Sequence, residues 1–139
     1  REQFFKDICV PFEQDKHNLK TYLIRTLLNF HQHLLQPENT AFMRLVLERT
    51  QRSSELALYI HEQGPKHIQS AIACALQKAH SNGVIKCENP IYSAQFYFGI
   101  LRDLEWRILI GLPIEEDEQE TITYLSYCVD RFLEGHQKD

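Results

Sequence analysis

Apolar residues recur three and four positions apart through almost the whole chain, and Pro, Gly, Ser, Asp and Asn punctuate the runs where helices begin and end. After Pro11, Asp15 is placed to cap a helix over 15–35 that carries Leu19, Tyr22, Leu23, Leu27, Phe30 and Leu34 at helical spacing. Pro37 suits a first turn, and a helix over 38–51 follows with Phe42, Leu45, Val46 and Arg49 on one side. Ser53 or Ser54 caps a short helix with Leu56, Tyr59 and Ile60. Gly64-Pro65 ends that helix and starts another over 65–82, with Ile68, Ile72, Ala75, Leu76 and Ala79 inward and Gly83 as its stop. In the last helix, 117–134, Asp117 and Glu120 have capping-box spacing, and the acidic cluster around them suits the positive end of the helix dipole. No alternating strand pattern, internal repeat or low-complexity tract interrupts this order. The expectation is one all-α domain over 1–139, a multi-helix bundle of about six or seven helices with short connections.

The stretch NPIYSAQFYFGILRDLEWRILIGLP, residues 89–113, departs from the one-sided pattern of the others. On a helical wheel Ala94, Tyr97, Leu101, Ile108 and Leu112 gather on one side, and Tyr92, Phe96, Ile100 and Leu104 on a second, with Trp106 and Ile110 between. A helix at the rim of a small domain buries one side in its own core. A second apolar side calls for another molecule, since large exposed apolar patches are uncommon on monomers. Symmetric pairing with a second copy is the commonest cover.

The 139 residues suffice for one core, and 43% hydrophobic with 24% charged is an ordinary globular composition. A net charge of −4 gives no basic field for nucleic acid, so this segment is not expected to hold DNA itself. No run is apolar enough to span a bilayer, and Arg102, Asp103, Glu105 and Arg107 interrupt the greasiest helix, which argues against a membrane partner. Cys9, Cys74, Cys87 and Cys128 form no CxxC pair and read as free, mostly buried thiols of a cytoplasmic protein.

Seven histidines prompt a search for metal ligands, and the spacings fail. His31 and His33 point to opposite faces of a helix, HEQGP places Pro65 where the second ligand of HExxH belongs, and no Glu-x-x-His occurs. There is no nucleophile elbow and no phosphate-cradling glycine loop. The chain is therefore expected to be no enzyme, with no catalytic residue, no metal and no cofactor. Its distinctive feature is aromatic content within the helices, which either fills the core or surrounds a cavity between helices. Phe12, Leu27, Phe30, Phe42, Leu45, Tyr59, Phe96, Arg102 and Trp106 are the candidate pocket residues. His31, Arg49 and His61 are further polar groups that could orient a ligand there.

Three stretches together resemble the C-terminal effector-binding and dimerisation domain of TetR/AcrR-type transcriptional regulators. REQFF resembles the segment after that family's DNA-binding domain. FMRLVLERTQRSSELALYIHEQGPKHIQSAIACALQKAHSNGVI resembles its middle helices, and NPIYSAQFYFGILRDLEWRILIGLP its penultimate helix, often an alanine-phenylalanine-glycine-leucine-arginine progression closing on leucine-glycine. The resemblance implies a bacterial regulator whose last two long helices form a four-helix bundle with those of a second subunit. Tyr92, Ile100, Leu104, Tyr124, Leu125, Cys128, Val129 and Phe132 are then the expected dimer contacts. It also implies a small apolar or aromatic effector in a cavity between the helices at 1–13, 15–35, 38–51, 65–82 and 90–111. Effector arrival would release a repressor from operator DNA, gripped by a helix-turn-helix domain expected in front of Arg1. The rival reading is a helical protein–protein interaction module without a cavity.

Overall fold

The computed structural model describes residues 16–138; the expected helix over 1–13, with Phe12, and the Asp15 cap lie outside them. The described helices are α1 (Lys16–Leu34), α2 (Pro37–Thr50), α3 (Ser54–Gln63), α4 (Pro65–Ser81), α5 (Pro90–Phe98), α6 (Arg102–Leu109) and α7 (Glu118–Glu134), with a 3₁₀ turn Gly99–Leu101 joining α5 to α6. No strand occurs among the described residues.

Local chemistry sets the ends. Ser53 Oγ accepts from Leu56 N at 3.1 Å and starts α3, and Asn89 Oδ1 accepts from Tyr92 N at 3.0 Å and starts α5, with Pro90 in its first turn. Asp117 Oδ1 accepts from Gln119 N and Glu120 N at 3.0 and 3.2 Å, satisfying two amides that α7 leaves unpaired. Gly83 takes φ +76°, which lets Val84 N reach back to Ala79 O at 2.9 Å and close α4.

The core joins two helix pairs: α4 packs on α5, and α1 packs on α7. Leu19, Tyr22, Leu23, Leu27 and Leu34 of α1 meet Leu125, Val129, Phe132 and Leu133 of α7, while Ile68, Ile72, Ala75, Leu76 and Ala79 of α4 close the other side. A Lys20–Asp130 ion pair at 2.7 Å edges the α1–α7 seam.

One expectation needs correction. The helix anticipated over 90–111 is not continuous. It tightens to 3₁₀ winding at Gly99–Leu101, beginning at the residue with the weakest helix preference in its interior. The helices α2 and α3 contain no buried residue. Phe42 and Leu45 of α2 are exposed, and only Met43 packs partly against the core. The α2 helix is instead tied down by Arg44, whose Nη2 donates to Ile108 O at 3.2 Å.

Candidate functional site

The surface with most to explain is built by α5, α6 and α7. Ala94, Tyr97, Leu101, Leu104 and Ile108 follow one another at alternating three- and four-residue steps and are all buried. Tyr97 sets the rotation: its hydroxyl donates to Leu23 O at 2.7 Å, and the ring is wholly enclosed, so burial, reinforced by Tyr22, raises the phenol pKa well above its ordinary value. With that face inward, the opposite face shows Tyr92, Phe96, Gly99, Asp103, Trp106 and Ile110 to solvent. Tyr92 is 69% exposed, Phe96 68% and Trp106 61%, which makes this face a run of large apolar side chains in solvent.

Alongside runs α7, in the opposite direction. Ser93, Tyr97 and Phe96 of α5 meet its C-terminal end, where Tyr97 and Phe96 lie 5.6 and 5.8 Å from Phe132 between ring centres. At its other end Tyr124 feels the charges of Asp103 and Arg107 from α6. The outward aromatic residues of α7 are Tyr124 and Tyr127, with the Arg131 guanidinium 4.7 Å over the Tyr127 ring. The two exposed faces are therefore contiguous. A hydroxyl–imidazole contact locks the pair. His136 Nδ1 lies 2.7 Å from Phe132 O, a carbonyl that can only accept, so Nδ1 carries the proton there. Nε2, 2.7 Å from Ser93 Oγ, then accepts from the serine hydroxyl. Neither residue stood out in the sequence, where a serine and a histidine 43 positions apart carry no shared signal.

Of the expected dimer contacts, Tyr92 and Tyr124 are exposed, and Ile100 and Cys128 lie half-buried. Leu104, Leu125, Val129 and Phe132 are corrections. They are buried in the protomer's own core, because α7 spends that stripe on α1 and the 3–4 rhythm of α5–α6 puts Leu104 with Tyr97 and Ile108. Tyr127, Ile110 and Trp106 take their place on the outer face.

The expected pocket residues are dispersed. Leu27 is fully enclosed in the core, and Phe30 is half-buried with its ring 6.0 Å from Phe98. Phe42, Leu45 and Tyr59 are exposed on α2 and α3, while Phe96 and Trp106 belong to the outer face of α5–α6. Arg102 is exposed and pairs with Glu105 at 3.7 Å. Phe12 lies outside the described residues. Leu27 is thus unable to face an open cavity, since every side of it is already packed. A cleft of about 380 Å³ opens elsewhere, between the end of α1, α2 and the turn after α6. Leu35, Ile108, Leu112 and Ile114 give it apolar lining, and Arg44 and Glu116 add opposite charges. Gly111, at φ +85°, shapes the turn there. Next to it His31 has its pKa lowered, first by burial and also by Arg107, against an opposing pull from Glu116.

Among the described residues no group of three or more His, Cys, Asp or Glu could hold a metal ion. Cys74, Cys87 and Cys128 are free thiols. Among the same residues no helix is long and apolar enough to cross a membrane.

The family model described as AefR-like transcriptional repressor, C-terminal domain, matches residues 21–137. Two solved structures share the fold. One, a protein from Mesorhizobium loti MAFF303099 classed as a TetR-family transcriptional regulator, superposes with a TM-score of 0.79 at 17% identity, over 99% of this chain and 66% of that one. The other, the flavonoid-responsive regulator FrrA, gives 0.74 at 21% identity, over 98% of this chain and 72% of that one. This chain thus spans just under two thirds of the first. No curated protein matches the sequence.

Proposed function

This chain belongs to the TetR family of transcriptional regulators as an AefR-like C-terminal domain, and from that membership we propose that it is the dimerisation and effector-sensing part of a cytoplasmic repressor. The carrying observation is the solvent-facing aromatic stripe of α5–α6 beside the Tyr124–Tyr127 face of α7. A second copy covers it, and the four helices form the bundle that joins the two subunits. The effector enters on the α2–α3 side, where Phe42, Leu45 and Tyr59 have no cover of their own and the Arg44–Glu116 cleft lies close by. Its class is a small aromatic molecule; the flavonoid response named for FrrA supports that choice. Binding favours one helix arrangement over another only as far as the effector distinguishes them. The shift changes the spacing of two DNA-binding heads, which must reach half-sites about 34–36 Å apart, so a small rotation releases the operator.

Sedimentation across a dilution series tests the dimer, and thermal shift with flavonoids and simpler phenols tests the sensor. Expected are a concentration-dependent dimer and a raised melting temperature with at least one aromatic class. A monomer at every concentration overturns the dimer, and no shift with any aromatic class overturns the sensor.

A further inference from the structure

Gly99 sits in the middle of the exposed stripe and opens the 3₁₀ turn, yet neither its backbone angles nor any contact inside its own chain requires a glycine. Its φ of −61° and ψ of −21° are open to any residue, so no left-handed turn requires glycine. A Cβ placed there would meet nothing within 4 Å, so no internal contact requires it either. Glycine is nevertheless the poorest helix former after proline, and alanine would favour the helix at this point.

Resting on the reading of the domain as a dimer, we propose that the α5–α6 segments of two copies cross at Gly99, with the two-fold axis beside it, so that backbone meets backbone where each lacks a side chain. The sequence around Gly99 argues for a second copy as occupant. Tyr92 lies seven residues before it and Trp106 seven after, two turns either way and on the same outward face. An axis across the helix at Gly99 sets Tyr92 of each copy against Trp106 of the other. Three residues out, Phe96 on one side and Arg102 on the other make a matching aromatic–guanidinium pair in both halves. Arg102 can turn toward it, since its own side chain is exposed and its ion pair with Glu105 is long at 3.7 Å. A self-complementary surface of this kind is what an isologous contact needs, and an unrelated partner would have no use for the mirrored order.

The wild-type chain, Gly99→Ala, Gly99→Leu and Gly99→Cys are compared by sedimentation and circular dichroism. Gly99→Ala is expected to raise the melting temperature at dilutions where the chain is monomeric, yet weaken the dimer about ten- to a hundredfold. Gly99→Leu is expected to leave only monomer with helical content unchanged. Gly99→Cys, in a chain with the other cysteines replaced by serine, is expected to cross-link two copies under mild oxidation, because Cα atoms at such a crossing come within disulfide range. A dimeric wild type with Gly99→Ala dimerising as well as wild type, or with Gly99→Cys refusing to cross-link, overturns the crossing and leaves the dimer standing. A monomeric wild type removes the dimer reading itself. Should Gly99→Leu fail to fold, the alanine and cysteine variants still decide.

Discussion

The Tyr97 hydroxyl donates to the backbone carbonyl of Leu23 at 2.7 Å, bridging α5 and α1 across 74 residues of sequence. With the burial of Ala94, Leu101, Leu104 and Ile108, that bond sets which side of α5–α6 faces the core and which faces solvent. Removing it in Tyr97→Phe, which keeps the ring, is expected to cost about 1 kcal/mol. The melting temperature should fall by about 3 °C in a scanning calorimeter.

The same group predicts an alkaline signature. Burial holds the Tyr97 phenol protonated in the folded chain over a range above about pH 10, where the unfolded chain gives its proton up. Stability from this source is complete below that pH and drains away as pH rises through the folded pKa. Urea titrations between pH 9 and 11, a window on the order of one unit either side of the free phenol value, should show a shallower decline in Tyr97→Phe than in wild type. Equal slopes would mean that the phenol is not withheld from solvent.

His31 predicts the opposite sign on the acid side. Burial lowers its pKa in the folded chain, so the unfolded chain takes up a proton first as pH falls. Stability from this residue is present above about pH 6.5 and is lost as pH falls through the lowered folded value. His31→Gln should flatten the stability profile just below pH 6.5, read as urea midpoints, and a proton-NMR titration should place the His31 midpoint below that of a free imidazole.

The Ser93–His136 contact joins α5 to the end of α7, so its loss should loosen the two helices that carry the outer face. Ser93→Ala, His136→Ala and the double variant form a thermodynamic cycle. The coupling should be about 1 kcal/mol, the worth of one part-buried hydrogen bond. Additive losses would show that the two residues act separately.

Trp106 is the only tryptophan in the chain, so its emission reports directly on the outer face of α6. At 61% exposure in the protomer it should fluoresce at long wavelength when dilute and shift to the blue as the chain associates. Trp106→Ala should weaken association by about 2 kcal/mol or more, the usual cost of truncating a central aromatic anchor. An emission maximum that ignores concentration would place Trp106 outside any contact between copies.

The amino-acid order alone determined where most of the described helices start and stop, the 3₁₀ break at Gly99–Leu101 excepted. Ser53, Gly64-Pro65, Gly83, Asn89-Pro90 and Asp117 act within four residues of themselves, through caps and turns that need no distant partner. It also revealed that residues 89–113 are apolar on more than one side. Only tertiary structure decided how each helix is rotated. Leu104, Leu125, Val129 and Phe132 have the same spacing and character as residues that stay outside, yet they are buried, because α1 and α4 lie against those faces and not others. Phe42 and Leu45 look like core and are exposed for the converse reason: no described helix encloses them. Caps are settled by neighbours along the chain, whereas burial is settled by neighbours across it, and those appear only once the helices have come together.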